Sequence, residues 1–142
     1  MISLLDANML IALFDEAHVH HQAAHDWLLI NRSSGWATCP LTENACIRIM
    51  SQPSYPGRLS VADIAGRMFR ATQAADHYFW PDDIRLCDPT KFDHHQMPTS
   101  KHLTDLYLLA LAVEHGGRLV TFDGGIKTQA IVTAAAPHLF VM

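Results

Sequence analysis

The stretch from Ile2 to Leu5 is apolar but for Ser3, stops at Asp6, and gives way to a second apolar stretch, Met9 to Phe14. This pattern predicts a short buried strand followed at once by a short helix. In HHQAAHDWLLI, Ala24, Trp27 and Leu28 recur at helical spacing and predict an amphipathic helix. Asn31 to Gly35 reads as a loop. Trp36 to Cys39 reads as a strand closed by Pro40, with a helix over Leu41 to Met50 starting just past the proline. The stretch SQPSYPG breaks that helix. Ser60 to Ala75 predicts another helix, with Ser60 and Asp63 at capping-box spacing. HYFWPDD and IRLCD read as a short strand or extended connections, and KFDHHQMPTSK as a polar loop. Leu103 to Gly117 holds the clearest helix, capped by Thr104 or a neighbour and stopped by Gly116 and Gly117. RLVTFD is a strand ending in an acid, and HLFVM a last strand.

Strands alternating with helices imply βαβ units and an α/β fold built on a parallel sheet. The strands are continuous apolar runs, as expected of a sheet covered by helices on both faces.

The 142 residues suit one domain over residues 1–142, with no repeats or low-complexity tracts. Composition is 49% hydrophobic and 17% charged, that of a globular chain and not a disordered one. Three cysteines without CxxC spacing read as small buried hydrophobes in a reducing compartment. No basic leader with a cleavage site is visible, and the longest apolar run, Leu106 to Val113, falls well short of the ~20 residues of a membrane span. A cytoplasmic protein that does not engage a membrane is expected. The net charge of −4 argues against broad electrostatic binding of nucleic acid.

The acids fall in a pattern. Asp6 and Asp123 end the first strand and the LVTF strand, and Glu43 and Asp105 lie in the first turns of two helices. In a parallel α/β sheet these positions share one edge, where ligand sites form. Two carboxylates ~4 Å apart repel by roughly 4 kcal/mol at an effective dielectric near 20. Proteins relieve this by raising a pKa or binding a cation, and oxygen-rich sites suit Mg²⁺ or Mn²⁺. Taken singly, each acid also has a plain structural explanation, as a helix-dipole partner or turn residue.

The segments LLDANMLIALFD, LTENACIRI and LTDLYLLALAVEHGGRLVTFD resemble the PIN-domain ribonucleases, and more narrowly VapC-type toxins of bacterial toxin–antitoxin pairs. The resemblance spans nearly the whole chain, with Ser54 to Lys101 the variable part. It implies a PIN-like domain, a parallel sheet of about five strands between helices. It implies Mg²⁺- or Mn²⁺-dependent hydrolysis of RNA, with transfer RNA the usual substrate class, leaving 5′-phosphate and 3′-hydroxyl ends. Carried over, the catalytic acids are Asp6, Glu43, Asp105 and Asp123. Asp6, Asp105 and Asp123 are the metal ligands, and Asn8 and Thr121 support them from behind. A small antitoxin partner and a homodimer are further implications.

Arg67 and Arg70, three apart on a helix, and Lys91 and Lys101, flanking the polar loop, are weak candidates for following an RNA backbone. Among ten histidines, HVHH at His18 to His21 lacks a matching ligand set elsewhere and reads as surface or capping residues. Trp27, Trp36 and Trp80 read as core, and YFWP as a buried strand rather than a base-stacking platform. A catalytically silent PIN module binding RNA or protein, a DNA nuclease, and a phospho-acceptor signalling domain are the competing readings.

Overall fold

The computed structural model describes residues 1–142. Five parallel strands, β1 (Ser3–Leu5), β2 (Trp36–Thr38), β3 (His77–Phe79), β4 (Arg118–Thr121) and β5 (Leu139–Val141), form one sheet in the order β3-β2-β1-β4-β5. Five helices connect them: α1 (Ala7–Phe14), α2 (His21–Asn31), α3 (Pro40–Met50), α4 (Val61–Ala71) and α5 (Leu103–Glu114).

The three inner strands are buried on both faces, which is why their sequences run apolar without alternation. Leu4, Ala37 and Leu119 point to the face covered by α5, where they meet Leu108, Leu111 and Phe92. Leu5, Trp36 and Val120 point to the opposite face, covered by Met9, Ala24, Cys46 and Ile64 from α1 to α4. Sheet neighbours thus alternate between two cores. Helix α5 is buried along Leu106 to Ala112, on every side, as its unbroken apolar run requires. No helix is long and apolar enough to cross a membrane.

The helix boundaries follow local chemistry. The Asp6 carboxylate caps α1, and the Ser60 hydroxyl accepts from the Asp63 amide at 3.1 Å to cap α4. Pro40 opens α3 at a position where its missing N–H costs nothing. Gly116, in the left-handed region at φ 66, ends α5, and the Gly117 amide then donates back to the Ala112 carbonyl at 2.7 Å.

Several expectations need correction. Strand β3 lies at the sheet edge, so Tyr78 and Phe79 are 46% and 54% exposed; only Trp80, beyond the strand, is buried. The IRLCD segment forms turns, not a strand. Cys39 and Cys46 are buried as expected, but Cys87 is exposed in that turn. Helix α5 begins without a side-chain cap: its N-cap residue is His102, held in the left-handed region at φ 62.

Candidate active site

Parallel strands leave one edge where β1 and β4 end side by side, in register from Ser3 opposite Arg118 to Leu5 opposite Val120. The chain leaves β1 at Asp6 and β4 at Phe122, so Asp6 and Asp123 emerge together. Asp6 is only 6% exposed. Its carboxylate accepts from the Ala7 amide at 2.7 Å and, on the other oxygen, from the Thr121 hydroxyl at 2.7 Å. Thr121 in turn accepts from the Asn8 amide nitrogen at 3.0 Å and the Asp123 backbone N–H at 3.1 Å. The Asn8 side-chain oxygen takes the Phe122 backbone N–H at 3.3 Å. One hydroxyl and one carboxamide, those of Thr121 and Asn8, therefore tie the end of β1 to the end of β4.

Helix α5 brings Asp105 to the same edge. Its carboxylate lies 3.1 Å from His102 Nδ1, and Asp123 Oδ2 lies 3.0 Å from that same nitrogen. His102, Asp105 and Asp123 each direct a ligand atom into a space where all three lie within 4.8 Å of one another. The Gly125 amide donates to the other Asp123 oxygen at 2.8 Å.

The electrostatics are those of a crowded anionic site. Burial pushes the Asp6 carboxyl above its ordinary value against the Thr121 hydrogen bond, and the charges of Asp105 and Asp123 push it further. Burial also raises Asp105, opposed by the His102 hydrogen bond and reinforced by Asp123. Carboxylates gathered at one edge, each oxygen keeping a lone pair beyond the hydrogen bonds it accepts, fit a hard divalent cation. Asp105, Asp123 and His102 are the residues placed to hold it, with Asp6 alongside.

Glu43 stands differently. The Thr38 hydroxyl donates to its carboxylate at 2.6 Å, and the same hydroxyl oxygen accepts from His77 Nε2 at 2.8 Å. Since the Thr38 proton is spent on Glu43, the His77 nitrogen facing it carries the other. Burial lowers the His77 pKa, opposed by the Glu43 charge. Glu43 thus belongs to a chain reaching from the end of β2 to the first residue of β3, not to the tight cluster.

The cations expected to follow RNA separate. Lys101 lines a 320 Å³ cleft beside His102 and Gly125, together with Lys127, which sequence reading missed. Lys91 is paired with Glu114. Arg67 is exposed on α4, and Arg70 lines an apolar groove with Leu10, Leu28, Arg32 and Trp36.

His102 is the site residue the sequence hid. It lies three residues before Asp105, just past the variable segment, among ten histidines with no distinguishing spacing. Only the left-handed turn at its backbone aims it into the site.

This parallel sheet with acids gathered at its strand ends matches a known family: the PIN domain family model fits residues 3–131. The chain belongs to the PIN-domain family. Within it, the curated relatives are VapC proteins. Ribonuclease VapC44 of Mycobacterium tuberculosis (strain ATCC 25618 / H37Rv) is 42% identical over 139 residues, covering 98% of each chain. Ribonuclease VapC39 of the same strain is 42% identical over 135 residues, covering 92% of this chain and 94% of its own. Among solved structures, VapBC2 from Rickettsia felis bound to a promoter DNA fragment superposes with a TM-score of 0.62 at 12% identity, covering 87% of this chain and 89% of that one. Mycobacterium tuberculosis VapC20, a toxin that cleaves the sarcin–ricin loop, superposes with a TM-score of 0.61 at 12% identity, covering 93% and 98%. These likenesses establish the fold.

Proposed function

We propose that residues 1–142 form one PIN domain that acts as a divalent-metal-dependent endoribonuclease, the toxin of a toxin–antitoxin pair. The observation that carries this is the convergence of Asp105 and Asp123 on one imidazole nitrogen, with Asp6 close enough for both to raise its pKa. Family membership and the ribonuclease names of relatives 42% identical support the reaction class.

A Mg²⁺ or Mn²⁺ ion held there supplies positive charge against the phosphate and acidifies a water near neutral pH. The chain's own residues do the rest. Thr121 and Ala7 lock the Asp6 carboxylate, so its orientation costs nothing at the moment of reaction. Asn8 and Thr121 keep β1 and β4 in step, which holds Asp6 and Asp123 at a fixed spacing. Glu43, oriented by Thr38 and His77, orients the attacking water and receives its proton. Lys101 and Lys127 hold the phosphates that flank the scissile one. In-line attack on phosphorus breaks the P–O3′ bond, and the departing 3′ oxygen takes a proton from solvent, leaving a 5′-phosphate and a 3′-hydroxyl.

The target is a structured RNA such as transfer RNA, since so few cations favour shape and unpaired bases over backbone charge alone. The partner is a small antitoxin protein covering the acidic cup, the toxin is a homodimer, and both act in the cytoplasm. The test is incubation of purified protein with transfer RNA, other structured RNA and DNA, with each metal and with chelator, followed by mapping of the ends. Metal-dependent RNA cleavage with 5′-phosphate ends supports the reading; cleavage unaffected by chelation, or of DNA alone, overturns it.

A further inference from the structure

The tight cluster at the sheet edge is not all carboxylate. Its third member is an imidazole, and the chain has arranged it deliberately. His102 is the one non-glycine residue with positive φ, at 62°. That turn swings the ring back over the start of α5, so that Nδ1 faces Asp105 and Asp123 at 3.1 and 3.0 Å. Across the cup, Gly125 supplies the room: a Cβ there would come within 2.7 Å of the ring's Nε2 and 2.9 Å of its Cε1. A side chain at position 125 would force the imidazole of His102 out of its present place.

We infer that His102 Nδ1 is a metal ligand beside Asp105 and Asp123, and that this nitrogen tilts the site from Mg²⁺ toward Mn²⁺. The inference rests on the metal-dependent reading above. Separations of 3.0 and 3.1 Å from Nδ1 to the two carboxylate oxygens, with all three donor atoms within 4.8 Å of one another, leave them close enough to share one ion. Mg²⁺ takes oxygen ligands and keeps its waters, whereas Mn²⁺, which suits the same carboxylates, stands above it as a first-row ion that accepts a nitrogen donor in a mixed set. Without the ion, the same nitrogen hydrogen-bonds Asp105 and stands 3.0 Å from Asp123.

The test is Mn²⁺ binding to the purified chain, read by electron paramagnetic resonance, with Mg²⁺ as competitor and pulsed detection of ¹⁴N coupling. The wild-type protein is expected to show a directly coordinated nitrogen and to bind Mn²⁺ well ahead of Mg²⁺. His102→Asn keeps a residue that tolerates positive φ and offers an oxygen in place of nitrogen. It should lose the coupling and weaken Mn²⁺ roughly tenfold or more, while Mg²⁺ changes less than about threefold. Gly125→Ala should also lose the coupling by displacing the ring, with every ligand type still present; because its methyl would come within 3.2 Å of Asp123 Oδ1, the coupling and not the ratio of the two ions is its readout. Bound Mn²⁺ without nitrogen coupling in the wild-type protein, or an equal loss of both ions in His102→Asn, overturns the inference but leaves the carboxylate site standing. Failure of the wild-type chain to bind either ion overturns both.

Discussion

The Thr121 hydroxyl donates to Asp6 across 2.7 Å of space and 115 residues of sequence. Both side chains are buried where β1 and β4 end, and no other bond in the molecule joins the two sheet-edge acids so directly, because Thr121 also receives the Asp123 backbone N–H. Replacing Thr121 by Val keeps the shape of a buried strand residue and removes the hydroxyl. Divalent-metal affinity is expected to fall about 10- to 100-fold, as for other groups that orient a ligand. Isothermal titration with Mn²⁺ checks this.

Asp105→Asn should make the metal-free protein more stable. Burial and Asp123 raise the pKa of Asp105 in the folded state, so over that range the folded chain binds more protons than the unfolded one. Stability therefore declines as pH rises from the ordinary aspartate value of 3.8 through the raised one. The part of that decline owed to Asp105 disappears in the Asn variant, and Asp6, relieved of one charge, shifts less. The measurement is melting temperature against pH in chelator, wild-type minus variant. Asp76, whose pKa is lowered by Arg32, contributes the opposite slope equally to both and cancels.

Adding Mn²⁺ reverses the sign of that effect. The wild-type protein should gain stability with metal concentration, by about 2.7 kcal/mol at 100 times the dissociation constant, and Asp105→Asn should gain far less at the same concentration. Thermal melts across a metal titration read both.

Thr38→Val tests the role of Glu43. It removes the donor at 2.6 Å and leaves Glu43 free to rotate, while His77 loses its acceptor. A group that positions the attacking water affects kcat; the expected loss is about 10²-fold, with KM nearly unchanged. Single-turnover cleavage at saturating RNA distinguishes this from weakened binding.

Lys101→Ala with Lys127→Ala should raise KM and flatten the dependence of binding on salt by a slope of roughly 1 to 2, since about 0.7 of a counterion is released per phosphate contact on single strands. Lys91→Ala should leave that slope unchanged, because Lys91 is already paired with Glu114. Filter binding over a salt series separates the two.

Much of this was legible in the sequence because strand ends and helix starts are local features. An apolar run that stops at Asp6, and another that stops at Asp123, fix where the acids emerge whatever the rest of the chain does. The topology then brings them together, since parallel β1 and β4 must end on the same side. What sequence could not reveal depends on contacts between distant parts. Thr38 meets Glu43 within one strand–helix junction, but His77 reaches Thr38 only because β2 and β3 pair, and no spacing in the sequence announces that pairing. His102 reaches the cup through a backbone turn that histidine adopts only when its surroundings hold it there. Tyr78 and Phe79 read as buried because their apolar character carries no mark of edge position.

The most direct measurement of the central claim is cleavage of RNA by purified Asp105→Asn protein, in Mg²⁺ and in Mn²⁺, after its melt has shown it folded. The wild-type protein is expected to cut in either metal and to stop in chelator, and the variant to show no cleavage above background. Undiminished, metal-dependent cleavage by the folded variant would contradict the account.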